Sequence, residues 1–326
     1  MIHLTQELQD VRTVAIAGHV RPDGDCVGSC LAVYNYIQEQ FPRLSVQVYL
    51  ESIPDSFGFL KGAEEILEPA KAEGQDFDLF ISLDAGDRER LGAAMGAFDR
   101  ARRTLCVDHH ISNRGFGDVN HIVPEASSTC ELVYGILEEE KISKETAEAL
   151  YLGIAHDTGV FQYSCTSERT MQIAGRLMSK GIDFTRIIDN TFYKKTYVQN
   201  QILGRAVLES ILLLDGKCIV SRVMKKDMEF YGASTKDLEG IVNQLRVTEG
   251  VEVAIFLYEA DNHEYKVSMR SNGPVDVSRI AAYFGGGGHV KAAGCTMHGS
   301  FYDVINNLAL HIEHDLEEGK KAQESK

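Results

Sequence analysis

The heptapeptide Thr104-Leu105-Cys106-Val107-Asp108-His109-His110 is an apolar, β-prone run that ends in one acid and two imidazoles. Carboxylate and imidazole side by side suit a divalent cation. Taken alone, the stretch also fits an exposed polar loop, or an Asp that caps the next helix. A second group lies at His19, Asp23 and Asp25, where another β-prone run, 11–19, gives way to Pro22 and Gly24. Pro and Gly so close together mark a tight turn. His at one position with Asp four and six residues later can converge on one point. The alternative is that Asp25 caps the following helix and Asp23 serves the turn. Asp84 closes a third apolar run, 77–84, and Asp157 follows the helical pattern 144–155 beside His156, which reads as structural.

These residues share a site only if the chain folds so that the run ends meet. Residues 11–19, 45–50, 77–84 and 104–110 read as strands. Helical spacing lies between them, as in Val27, Leu31, Val33, Tyr34 and Ile37. Alternating strands and helices predict an α/β domain with a parallel sheet, whose strand carboxyl ends lie along one rim. Ligands bind at that rim. Five carboxylates gathered there would repel one another and raise each other's pKa. Two divalent cations about 3.5–4 Å apart would remove the conflict and suit phosphoryl transfer. Many carboxylates and few thiolates favour Mn2+ over Zn2+, with Mg2+ an acceptable substitute.

The 326 residues are enough for two domains, and 44% hydrophobic with 25% charged residues predicts an ordinary globule. No stretch is apolar enough to span a bilayer. The first residues do not resemble a signal peptide. The expectation is a cytoplasmic protein without a membrane partner. Seven cysteines, 26, 30, 106, 130, 165, 218 and 295, form no C-x-x-C pair, so they should be reduced and mostly buried. A net charge of −15 argues against long duplex DNA as a partner, though not against a short anion held through metal.

Ser128 with Glu131 forms a capping-box pattern ahead of Leu132, Val133, Ile136 and Leu137, which reads first as a plain helix start, though its N-terminus could also receive a phosphate. Residues 167–180 read as a helix closed by Lys180-Gly181. Residues 186–208 read as a helical connector. Beyond them the pattern predicts an antiparallel-rich domain over 209–318. It has hairpins at 208–223 and 251–270, and helices near 235–245, 276–284 and 301–315. Residues 319–326 read as a frayed tail. Phe284-Gly285-Gly286-Gly287-Gly288-His289 is expected to precede a short helix, exposing backbone N–H groups to a phosphate, with His289 and Lys291 adding charge.

Together these motifs resemble the DHH phosphoesterases, named for the triplet seen here as Asp108-His109-His110. The first motif is present as His19-Val20-Arg21-Pro22-Asp23-Gly24-Asp25, and the second as Asp84 followed by Arg90-Leu91-Gly92. The fourth is present as Asp157-Thr158-Gly159 with Phe161. The C-terminal half is similar to the DHH-associated domain through Arg270-Ser271-Asn272 and the Gly-rich run ending at His289. Within the superfamily, the two-domain layout is similar to the bacterial nanoRNase/pAp phosphatase group.

The resemblance implies a catalytic domain over 1–185 and a smaller mixed α/β substrate-binding domain. It implies hydrolysis of two- to five-nucleotide RNAs or of 3′-phosphoadenosine 5′-phosphate. His19, Asp23 and Asp84 would hold one Mn2+. Asp25, Asp84, His109 and Asp157 would hold the other, with Asp84 bridging. Asp108 would orient His109, and His110 would meet the reacting phosphate or move a proton. Arg90, Arg270, Ser271, Gly286, Gly287, Gly288 and His289 would contact the substrate. The rival readings are a linear dinucleotide phosphodiesterase, a DHH-type pyrophosphatase and a nucleotide-binding sensor without turnover. The Gly-rich His motif speaks against the pyrophosphatase, and the complete ligand set against the sensor. Oligomeric state, a homodimer included, is left open by the sequence.

Overall fold

A computed structural model describes residues 2–324, with side chains described up to Gly319. The chain forms two compact units, Met1–Lys194 and Lys195–Lys326. The boundary falls inside the stretch expected to be a connector.

The first unit runs α1 (Leu4–Glu7), β1 (Thr13–Ala17), α2 (Gly24–Gln40), β2 (Ser45–Tyr49), β3 (Leu79–Leu83), α3 (Met95–Arg100), β4 (Thr104–Asp108) and β5 (Val119–Ile122). It continues with α4 (Thr129–Ile136), α5 (Lys144–Asp157), α6 (Glu168–Met178) and α7 (Phe184–Ile188). The strands form one sheet in the order β2-β1-β3-β4-β5. All its neighbours are parallel. Strands of such a sheet are covered on both faces, which is why β3 and β4 are buried at every position. Val14, Ile16, Leu79 and Ile81 face α2, α4 and α5. Ala15, Ala17 and Phe80 face a smaller cluster with Phe77 and Phe98. β5 was not foreseen. Asn120 and His121 interrupt its apolar pattern, and at the sheet edge it needs little burial.

The order reverses direction at β1, so the carboxyl ends of β1 and β3 flank a topological switch point, the place where ligands bind in open α/β sheets.

The second unit runs α8 (Tyr197–Leu208), β6 (Ile211–Leu213), β7 (Cys218–Val223), α9 (Lys225–Tyr231), α10 (Ile241–Arg246), β8 (Val253–Asp261) and β9 (Glu264–Ser271). It ends with α11 (Val277–Tyr283), β10 (Gly287–His289), β11 (Ala292–His298) and α12 (Phe301–Glu324). Its sheet has the order β10-β11-β9-β8-β7-β6. Only β7 and β8 pair in parallel. Both expected hairpins form.

Three expectations are corrected. The second half of the connector is α8, whose Ile202 and Ala206 pack with Ile219, Val223 and Leu245, so it belongs to the second unit. Residues 319–324 are not a frayed tail, because α12 continues to Glu324. Ile312 is buried, Leu316 packs on the core, and Gly319 lies against Pro274, all of which carry the helix on. Ser325 and Lys326 lie outside the described residues. Finally, the Gly-rich run does not open a helix. It forms edge strand β10 after α11 has ended. Among the described residues no helix is long and apolar enough to cross a membrane, and no disulfide forms. Cys165 is exposed, and the other six cysteines are buried.

Candidate metal centre

Three adjacent strands deliver the site. His19 lies two residues beyond β1, Asp84 directly follows β3, and Asp108 is the last residue of β4 with His109 and His110 after it. Asp157 ends α5 and Asp23 caps α2. Asp84 takes φ +56, a left-handed conformation rare for a non-glycine, and this turns the chain off the strand at the rim. The Arg90-Leu91-Gly92 segment holds the first loop in place. Val20 donates its N–H to the Arg90 carbonyl at 2.8 Å. Gly92 has φ +55, and a Cβ there would lie 2.7 Å from a Val20 methyl. Only glycine permits that approach.

Asp84 sits at the middle of the cluster. His19 Nε2 is 3.5 Å from Asp84 Oδ2 and 3.6 Å from Asp23 Oδ1. His109 Nε2 is 3.6 Å from Asp84 Oδ1, 3.9 Å from Asp25 Oδ2 and 3.1 Å from Asp157 Oδ2. The structure thus brings together His19, Asp23, Asp25, Asp84, His109, His110 and Asp157.

Each of the two imidazoles set among the acids is steered by its other nitrogen. His19 Nδ1 donates to the Val20 carbonyl at 2.9 Å, and His109 Nδ1 meets the Ala126 carbonyl at 3.4 Å. Both rings therefore present Nε2 to the acids, as metal-ligating imidazoles do. Donor atoms sharing a cation at about 2.1 Å and right angles lie about 3 Å apart, so these separations need little closing. An oxygen-rich set with two imidazoles fits hard to intermediate divalent ions.

The electrostatics support the same fit. Asp25 is fully buried, and burial together with the charges of Asp84 and Asp157 pushes it well above the usual carboxylate range. Burial likewise raises Asp84, against the hydrogen bond from His19. Burial would lower His19, but hydrogen bonds to Asp23 and Asp84 win and push it up to about 11. His109 rises to about 10 through Asp157 and the neighbouring acids, again against burial. Asp23, open to solvent on one side, is held at about 2 by His19 and the amides of Cys26 and Asp25, although desolvation would raise it. Without a cation, protons on the rings do the work of neutralising the acids.

Two sequence expectations about Asp23, Asp25 and Asp108 change here. Asp23, not Asp25, is the cap of α2, accepting from the N–H groups of Asp25 and Cys26. Asp108 does not orient His109. Its Oδ1 accepts from His110 Nδ1 at 2.7 Å, and its Oδ2 accepts from Asn113 Nδ2 at 2.7 Å. These bonds hold Asp108 below the usual carboxylate range despite burial. Asn113 also donates to the Ala85 carbonyl at 3.0 Å, tying the β3 and β4 loops together. The sequence reading missed Asn113, whose signal is an amide five residues after the triplet's acid.

The α4 start is the plain helix start that its pattern favours. Ser128 caps it by accepting from the Glu131 N–H at 3.1 Å. Glu131 does not reciprocate, because its carboxylate takes the hydroxyls of Ser127 and Thr170 at 2.6 and 2.7 Å. Nor is this helix N-terminus open to phosphate. The N–H groups of Thr129 and Cys130 donate to the two oxygens of Asp25 at 2.6 and 2.9 Å. His156 is structural as expected. It bonds Thr191 Oγ1 at 2.9 Å and meets Phe57 and Phe192 edge-on.

In the second unit, Arg270 and Ser271 end β9, and Arg270 pairs with Ala292 of β11. Arg270 Nε donates to Asn243 Oδ1 at 3.1 Å. Ser271 is buried and its hydroxyl donates to the Gly273 carbonyl at 3.3 Å, so it braces the turn instead of facing a ligand. Gly286 and Gly288 permit close strand approach: a Cβ would meet the Gly294 carbonyl oxygen at 2.2 Å, or the Ala292 carbonyl oxygen at 2.5 Å. Gly287 and His289 are exposed on the edge strand.

The family model described as the DHH family, N-terminal domain matches residues 13–154, and that of the DHHA1 domain matches 215–317. Over 291 residues the chain is 29% identical to the bifunctional oligoribonuclease and PAP phosphatase NrnA of Thermus thermophilus, covering 88% of this chain and 84% of the relative. It is 26% identical over 307 residues to the protein of the same name from Bacillus subtilis, covering 92% and 94%. The crystal structure of an exopolyphosphatase-related protein from Bacteroides fragilis superimposes with TM-score 0.87 at 27% identity, covering 95% of this chain and 94% of that one. The chain carries a DHH family N-terminal domain over residues 13–154, followed by a DHHA1 domain over residues 215–317.

Proposed function

We propose that the chain is a metal-dependent phosphoesterase. It hydrolyses RNA oligonucleotides of a few residues to mononucleotides, and 3′-phosphoadenosine 5′-phosphate to AMP. The carrying observation is the buried Asp84, set between His19 and His109 with Asp23, Asp25 and Asp157 around them. The names of the Thermus and Bacillus relatives support the substrate class.

Two Mn2+ ions would polarise the phosphoryl oxygens and ready a water for attack. His19, Asp23 and Asp84 would hold one. Asp84, His109, Asp157 and the outer lone pairs of Asp25 would hold the other. His110 has its Nδ1 committed to Asp108, which leaves Nε2 for the substrate. Its pKa is raised by the bond to Asp108, which favours the protonated ring that would serve as acid to the leaving oxygen. Arg270, with Asn243 behind it, and exposed His289 would bind the substrate's anionic groups.

The test is Mn2+-dependent release of mononucleotides from a labelled dinucleotide, run beside a length series and 3′-phosphoadenosine 5′-phosphate. Mononucleotide release that fades with length supports the proposal. No product from any of these substrates would overturn it.

A further inference from the structure

Thr129 touches two acids of the centre at once. It opens α4 and is fully buried. Its backbone N–H donates to Asp25 Oδ2 at 2.6 Å, and its Oγ1 donates to Asp84 Oδ1 at 3.1 Å. The Cys130 N–H takes the other oxygen of Asp25 at 2.9 Å. These acids stand 104 and 45 positions away in the chain, one in the first turn of α2 and the other just after β3.

The hydroxyl is not needed to start the helix, because Ser128 performs that task. What Oγ1 does is fix the torsion of Asp84. That residue leaves β3 with φ +56, so its side chain is not aimed by regular strand geometry. With Oδ1 held by Thr129, Oδ2 is left toward His19. A buried acid beside other acids would otherwise turn away or take up a proton.

We propose that Thr129 is a positioning residue of the metal centre, setting the Asp84 carboxylate through its hydroxyl and the Asp25 carboxylate through its amide. The inference rests on reading the site as a divalent metal centre. Groups that orient ligands in this way are worth about 10- to 100-fold in metal affinity.

The experiment is calorimetric Mn2+ titration of the metal-free full chain, with thermal melts, for wild type, Thr129→Val, Thr129→Ala and Thr129→Ser. Valine keeps the volume and removes the donor, and serine keeps the donor. We expect Thr129→Val to bind Mn2+ about 10- to 100-fold more weakly, with Thr129→Ser close to wild type. Should Thr129→Val fail to fold, Thr129→Ala carries the same expectation. Wild-type affinity in the folded variant lacking the hydroxyl overturns the proposal. So does equal loss in Thr129→Ser, which would point to volume instead of the hydrogen bond. A wild-type chain that takes up no Mn2+ sinks the metal-centre reading, and this proposal with it.

Discussion

Asp108 Oδ1 lies 2.7 Å from His110 Nδ1, so the acid of the triplet serves its last imidazole and not its neighbour. His109 turns instead toward Asp25, Asp84 and Asp157. One triplet thus sets one imidazole among the acids of the candidate centre and pairs the other with its own Asp108.

Replacing Asp108 with Asn tests this division. The bond from Asp108 is the main reason His110 titrates above an ordinary histidine, with burial opposing it. A raised folded pKa contributes stability that is fully present below the unfolded value of about 6.5 and is lost as pH rises through the folded one. Asp108→Asn should therefore lower the His110 titration midpoint, read by NMR on metal-free protein. It should also cut turnover of a short oligonucleotide by about 100-fold, the lower end for a lost proton donor. An unshifted midpoint would separate the two residues functionally.

Asp84→Asn should reduce turnover about 1,000-fold or more, since several kcal/mol of charge stabilisation depend on the proposed bridging acid. The metal-free fold should survive. Burial raises Asp84, and the charges of Asp157 and Asp23 add to that, so the carboxylate is poorly tolerated without a cation. The paired measurement is a thermal melt with and without Mn2+. The variant should keep the metal-free transition and lose most of the rise on adding metal. Substantial activity in Asp84→Asn would refute the bridging role.

The site was legible in the sequence to the extent that ligands end apolar runs. β1, β3 and β4 are continuous apolar segments, and a parallel sheet brings their ends together whatever lies between. The residues that hydrogen-bond these side chains were not legible. Thr129 reaches Asp84 across 45 positions, and Ala126 meets His109 across 17, so no local pattern announces either. The Gly-rich run misled because glycine carries no periodicity. Its fit against Gly294 and Ala292 becomes visible only once β11 lies beside it. The tail misled because the charged run after Leu316 shows no apolar stripe of its own, although α12 is already anchored on its core by Ile312 and Leu316.

Metal loading should release protons. His19 is pushed up to about 11 and His109 to about 10, so both rings are protonated in the metal-free protein near neutral pH. A cation must displace those protons, and its apparent affinity should rise with pH across the neutral range. Titrations in buffers of different ionisation enthalpy should show net proton release on Mn2+ binding. The metal-free protein has the opposite trend. Stability from the two raised imidazoles is fully present below about 6.5 and is lost as pH climbs through 10 and 11. Asp23, held at about 2, adds stability that is present above its ordinary value and lost as pH falls through 2. Proton uptake, or no change, on metal binding would contradict the assignment of the rings as ligands.

His289→Ala separates substrate binding from metal binding. His289 stands exposed on β10, an edge strand held to β11 by backbone pairing, so removing its ring should leave the second domain intact. Losing one charge-assisted contact to a phosphate costs about 1.5–3 kcal/mol, equivalent to about 10- to 100-fold in KM for a dinucleotide. Mn2+ affinity should not move, because His19 and His109 are the imidazoles set among the acids. Gly288→Ala is the harsher companion. Gly288 has φ +145, and its Cβ would lie 2.5 Å from the Ala292 carbonyl oxygen, so β10 must pull away from β11. That variant should raise KM at least as much as His289→Ala while binding Mn2+ normally. Parallel loss of Mn2+ affinity in His289→Ala would place His289 among the metal ligands and remove it from the substrate site.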